Sequence, residues 1–224
     1  MKFLKPFLLL FLLVTSIFAA FYLHSKFTKH RVYIFAMEEE FKKYKPMIEK
    51  IEKRTLNPVQ IEKNLPYKLF YDKVYIAISQ EGCDAAAYVT HDLLARFNVS
   101  EIINIGSCGG RKNRVKIEDI ILVSKIYDSD FFVPKKLKEP FVIVNEFNIL
   151  QGLFKTREGV LGSGDQFVMS DANLPAEVDI VDMEAYSIQF VADRFKVPVY
   201  FIKIVSDYLD YNQFKSEILE HKIH

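Results

Sequence analysis

The segment Ile102–Gly110, IINIGSCGG, joins an apolar run to a turn rich in glycine. Ile102–Gly106 is apolar at nearly consecutive positions, the pattern of a strand buried on both faces; a strand with one wet face alternates instead. After it, Gly106, Ser107, Gly109 and Gly110 let backbone amides approach a ligand closely. Open α/β sheets bind ligands at such strand ends. A glycine-rich turn also serves as a plain reversal, so this segment points to the fold class before it points to a chemistry.

The same kind of run recurs at Val32–Ala36, Val74–Ser79, Ile120–Ser124, Phe141–Val144, Val160–Gly162, Ile180–Met183 and Val199–Val205. Helical patterns lie between them. Asp84–Phe97 carries one apolar stripe, Ala86, Val89, Leu93, Leu94 and Phe97, and Glu184–Phe195 carries another, Ile188, Val191, Ala192 and Phe195. Glu39–Ile51 reads as a helix that Pro46 should kink or shorten. Strands alternating with helices predict one α/β domain over residues 31–224, with a central mixed, mostly parallel sheet flanked by helices.

The chain has 224 residues, 50% of them hydrophobic, and a formal net charge of +1. Near-neutral charge gives no electrostatic reason to expect a nucleic-acid partner. The cluster Lys135, Lys136 and Lys138 between Pro134 and Pro140 reads as a solvated loop. Cys83 and Cys108 are too few for a disulfide framework, and no bridge is expected. His24, His30, His91, His221 and His224 include no pair with a carboxylate or cysteine at ligand spacing, so no metal is expected.

The amino terminus differs from the rest. Lys2 and Lys5 precede Phe7–Leu23, which contains no charged residue, so residues 1–30 read as a signal peptide or signal anchor. Phe18 interrupts any small-x-small cleavage site around Ser16–Ala20, which favours an uncleaved anchor and a preceding hydrophobic helix. The expected location is membrane-anchored or exported, at a bacterial inner membrane or in the periplasm. Lys26, Lys29 and Arg31 follow the run and nearly cancel the charge bias that would orient it.

Four segments at strand ends carry candidate chemistry. Ala36–Glu40 (AMEEE) sets three carboxylates at a helix start, where the helix N-terminus favours them in any protein and where one could also face a cleft. Asn104–Gly110 is the glycine-rich turn. Gly162–Phe167 (GSGDQF) ends in an aromatic that could stack on a flat base, at a gain of about 1–3 kcal/mol, or simply join the core. Val181–Glu184 and Val205–Asp207 end apolar strands in acids, a poor packing choice unless the acid is paired, caps a helix or is used.

Taken together and in this order, AMEEE, Asn-x-Gly-Ser-x-Gly-Gly, Ser-Gly-Asp-x-Phe, Met-Glu and Ser-Asp resemble the 5′-methylthioadenosine/S-adenosylhomocysteine nucleosidases of the nucleoside phosphorylase superfamily, from about Val32 to Phe214. The resemblance implies a nucleoside phosphorylase-like fold, an adenine nucleoside as substrate, no cofactor and a homodimer. It implies that Glu40 activates the attacking water with Ser107 beside it, and that Asp207, oriented by Ser206, protonates N7 of the leaving adenine. Glu184 would hold the ribose hydroxyls, Met183 would lie under the sugar, Phe167 would stack on adenine, and Lys203 and Phe214 would line the substrate site. Two carboxylates on either side of a glycosidic bond suit cleavage through an oxocarbenium-like state, provided that Asp207 is raised enough to hold a proton.

The sequence departs from that pattern at three places. Ser79–Cys83 reads Ser-Gln-Glu-Gly-Cys, so Gln80 replaces a glycine and Glu81 an apolar residue near the 5′ end of the sugar. Lys203 stands where an arginine is expected and lacks its planar fork. Phe35 replaces a glycine before AMEEE. Phosphorolysis on the same fold is disfavoured because Glu40 would repel phosphate. A nucleoside-binding or adhesin-like protein without turnover is the alternative of a different class, and other adenine nucleosides such as aminodeoxyfutalosine stay open as substrates.

Overall fold

The computed structural model describes residues 28–130, 140–143, 152–172 and 174–219. The expected anchor helix falls on residues outside this set, as does the lysine cluster at 135–138. Among the described residues no helix is long and apolar enough to cross a membrane.

Strands β1 (His30–Phe35), β2 (Val59–Glu62), β3 (Lys68–Asp72), β4 (Val74–Ile78), β5 (Val99–Gly110), β6 (Ile120–Asp128), β7 (Phe141–Val142), β8 (Thr156–Ser163), β9 (Ile180–Asp182) and β10 (Val199–Asp207) form one sheet. The helices are α1 (Glu38–Glu52), α2 (Cys83–Arg96), α3 (Ala185–Phe195) and the short α4 (Tyr211–Phe214), which continues into a π-helical turn, Lys215–Leu219. The α/β class is as expected.

The sheet is mixed, but it is not mostly parallel. Among the described residues five strand pairings are parallel and five antiparallel. Beside the short antiparallel β6–β7 pairing, two features account for the difference. β2, β3 and β4 form an antiparallel meander. β5 pairs with β10, β10 with β6, β6 with β8, β8 with β9, and β9 returns to β5 at Gly109–Gly110, so these five strands close a ring that needs two reversals. The β2–β3 pair went unpredicted because β2 lies at the edge with alternating exposure, and Val59 is 67% exposed.

Period-2 alternation divides the core between the two sheet faces. Val32, Ile34 and Ile102 pack with Leu93 of α2 and Ile188 of α3. Tyr33, Phe35, Ile103 and Ile105 pack with Ile48 and Ile51 of α1. Phe35, in place of a glycine, is fully buried with its ring 5.6 Å from that of Phe41, so core packing absorbs it. The α1 helix runs through Pro46 without ending. Pro46 and Lys42 are both exposed, so the carbonyl that proline leaves without a helical donor faces water. Cys83 and Cys108 are both free.

Candidate active site

The ends of β1, β5, β9 and β10, with the loop after β8, converge on one cavity of about 390 Å³. It is lined by every sequence-predicted site residue except Lys203, which lies just behind the wall.

Glu40 is in the first turn of α1 and is 3% exposed. Its Oε2 accepts the amide of Met37 at 3.4 Å, and its Oε1 accepts both the amide (2.7 Å) and the hydroxyl (2.5 Å) of Ser107. Gly106 makes this approach possible, because a Cβ there would lie 3.3 Å from Glu40 Oε1 and 3.4 Å from Lys203 Nζ. Burial raises the Glu40 carboxyl above its ordinary range, against the Ser107 hydrogen bonds and the Lys203 charge.

Asp207 closes β10. Ser206 donates its hydroxyl to Asp207 Oδ2 at 2.8 Å, and the Asp210 amide donates to Oδ1 at 3.0 Å. Burial nevertheless raises Asp207, so the carboxyl holds a proton to higher pH than a free aspartate does.

Glu184 follows β9 and precedes α3, and its Oε1 accepts the Gly82 amide at 3.0 Å. Burial first, then the nearby Asp182 charge, raises it. Met183 is half-buried beside it. Phe167, on the loop after β8, is 37% exposed, with the rings of Tyr211 and Phe214 at 5.5 and 5.6 Å. These three rings give the cavity an aromatic wall suited to a flat heterocycle.

Lys203 is 1% exposed and its Nζ lies 2.6 Å from Asp182 Oδ2. Burial acts to lower it, but Asp182, Glu184 and Glu40 together raise it, so the ammonium is kept. Asp182 also accepts the Ala185 amide at the start of α3. Sequence reasoning passed over Asp182 as a site residue. The signal was present: an acid in β9 and a lysine in β10, each inside an apolar run, need partners.

Asp165 was also passed over. It accepts the Cys83 amide at 2.6 Å and thereby ties the Phe167 loop to the start of α2. With Asp130 it brings ligand-capable atoms within 4.8 Å of Cys83. Burial pushes the Cys83 thiol up to about 12, opposite to what a metal thiolate needs.

The fold is α/β, and it gathers carboxylates at its strand ends around an aromatic-walled cavity suited to a flat, hydroxylated ligand. The profile of the Phosphorylase superfamily matches residues 30–221, and the chain belongs to that superfamily. It is 26% identical over 203 residues to the 5′-methylthioadenosine nucleosidase of Arabidopsis thaliana, covering 80% of this chain and 74% of that one. It is 29% identical over 184 residues to a DeoD-type purine nucleoside phosphorylase of Buchnera aphidicola, covering 74% and 79%. In fold it matches the native structure of futalosine hydrolase of Helicobacter pylori with a TM-score of 0.71 at 22% identity, covering 86% of this chain and 91% of that one.

Proposed function

We propose that this domain is an N-glycosyl hydrolase that releases adenine from adenine nucleosides bearing a 5′-thio substituent, such as 5′-methylthioadenosine and S-adenosylhomocysteine. Asp207 protonates N7 of the departing base. Glu40, steadied by Ser107, orients and deprotonates the water that attacks C1′, and Glu184 accepts hydrogen bonds from the ribose hydroxyls. Carboxylates around the sugar favour the positive charge that develops as the bond breaks.

The single observation behind hydrolysis rather than phosphorolysis is the lack of a cationic side chain on the cavity wall among the described residues. Glu40, Glu81, Asp182, Glu184 and Asp207 line it, and among the described residues no arginine, lysine or histidine does. The nearest cation, Lys203, is already bonded to Asp182. A phosphate anion would find no cationic partner there, whereas water needs none.

The test is adenine release from 5′-methylthioadenosine by the full-length protein, with and without phosphate. Release in phosphate-free buffer with 5-methylthioribose as the sugar product supports the reading. A phosphate requirement yielding a sugar phosphate overturns it, and so does tight adenine binding without turnover. We also infer a homodimer, and an anchoring or export role for residues 1–30, both tested by size and membrane partition of the expressed full-length chain.

A further inference from the structure

The cavity lies at the carboxyl ends of β1 and β10, and the opposite end of the sheet carries a different chemistry. β1 enters there at His30 and reaches the cavity edge at Ala36, a span of about 20 Å. Parallel pairing sets the starts of β1, β4, β5 and β10 side by side, with Val32 opposite Tyr75, Arg31 opposite Glu101 and Val199 opposite Ile102. α1 returns to this end, where Glu52 bonds Arg31 at 2.6 Å. α2 and α3 end there too: just beyond them, the Asn98 carbonyl accepts the His30 amide and the Pro198 carbonyl accepts the Ile102 amide.

Four lysines are exposed at this end with no ion pair among the described residues: Lys29 before β1, Lys53 after α1, Lys73 in the β3–β4 turn and Lys196 after α3. Three of them hold left-handed backbone, with φ of 53° at Lys53, 58° at Lys73 and 56° at Lys196. Glycine or asparagine fills such positions at lower cost, so the backbone does not account for lysine at all three. The helix dipole favours a cation at Lys53 and Lys196, but Lys73 ends no helix. Neighbouring acids are occupied, Glu52 and Glu101 by Arg31 and Asp72 by Arg54. Asp193 has no ion pair among the described residues, but Arg194 follows it. Beside Lys29 and Lys73 lies an aromatic cluster. The His30 ring is 5.1 Å from that of Tyr75, which lies 4.9 Å from Tyr71 and 4.3 Å from Phe97. Val59, opposite Tyr71 on the edge strand, is 67% exposed.

The chain that leads into this end indicates what covers it. Phe7–Leu23 has no charged residue, and only His24–Lys29 separates it from β1. That connection extends at most about 20 Å, so a membrane holding Phe7–Leu23 lies within reach of the lysines. Tyrosines suit the headgroup level, and each lysine near an anionic surface adds attraction. We propose that this end of the sheet docks on anionic lipid headgroups through Lys29, Lys53, Lys73 and Lys196, with Val59 and Tyr71 at the headgroup level. The cavity then opens away from the bilayer. This inference rests on the anchoring role inferred for residues 1–30 and adds an orientation to it.

The chain has no tryptophan, so a single introduced one reports position. Full-length Val59→Trp, at the docking end, and Tyr211→Trp, at the cavity, are reconstituted into vesicles of phosphatidylcholine bearing a nitroxide headgroup, with or without phosphatidylglycerol. Flotation reads anchoring, and quenching reads which end meets the lipid. We expect both proteins to float and Val59→Trp to be quenched more than Tyr211→Trp. Phosphatidylglycerol should widen that difference, and molar salt should narrow it. Lys53→Gln, Lys73→Gln and Lys196→Gln, combined in the Val59→Trp chain, should lower the ratio of docked to undocked protein about fivefold per lysine, with flotation unchanged. Equal quenching at the two tryptophans, or quenching indifferent to lipid charge or to the lysines, overturns the proposal and leaves the anchor standing. Failure to float overturns the anchoring reading and this proposal with it.

Discussion

Ser107 presents two donors to a single oxygen of Glu40: its amide at 2.7 Å and its hydroxyl at 2.5 Å. Both bonds favour the ionised carboxylate, while burial favours the protonated one and prevails. Ser107→Ala removes one of the two and should raise Glu40 further. The alkaline shift of the acidic limb of the kcat/KM profile is the expected signature, with about a 10-fold loss at neutral pH, the cost of one hydrogen bond to a charged group. A pH–rate series on variant and parent would show it.

Lys203 and Asp182 form a buried pair, and truncating one leaves the other's charge without compensation. Lys203→Met should cost about 3–5 kcal/mol of stability. Adding Asp182→Asn to it should cost far less than the sum of the two single changes. Denaturant melts of the four proteins measure that coupling.

Glu184 sits at about 8, well above the ordinary glutamate range. The folded state therefore holds a proton that the unfolded chain releases. The stability this contributes is full below the unfolded value of about 4.3 and is lost as pH rises toward 8. Glu184→Gln should flatten the decline in stability across that interval. Thermal melts from pH 4 to 8.5 would read it.

Phe167 with Tyr211 and Phe214 forms the aromatic wall. Phe167→Ala should raise KM by about 5- to 100-fold, the range for one stacked base, with a smaller change in kcat. Steady-state kinetics on 5′-methylthioadenosine separates the two parameters.

What the sequence disclosed follows physical lines. Strands such as Ile102–Gly106 were legible because burial on both faces leaves a consecutive apolar run. β2 was not, because an edge strand with exposed Val59 carries no such run. The closed ring was also out of reach, since β9 returns to β5 through only two residue pairs, at Gly109 and Gly110. Among the site residues, Glu40, Glu184 and Asp207 stood out as acids bordering apolar strands, and the fold brings all three into one cavity. Lys203 was read from the resemblance as a residue lining the substrate site in place of an arginine, and its bond to Asp182 went unseen because it joins residues of two strands that do not pair.

The most direct measurement is adenine release from 5′-methylthioadenosine in phosphate-free buffer by the full-length chain beside its Asp207→Asn variant. Turnover by the parent and a loss of at least about 100-fold in kcat for the variant, with substrate still bound, is the expected result. Undiminished turnover by Asp207→Asn would contradict the assignment of Asp207 as the acid, and with it the account of how this cavity breaks the bond.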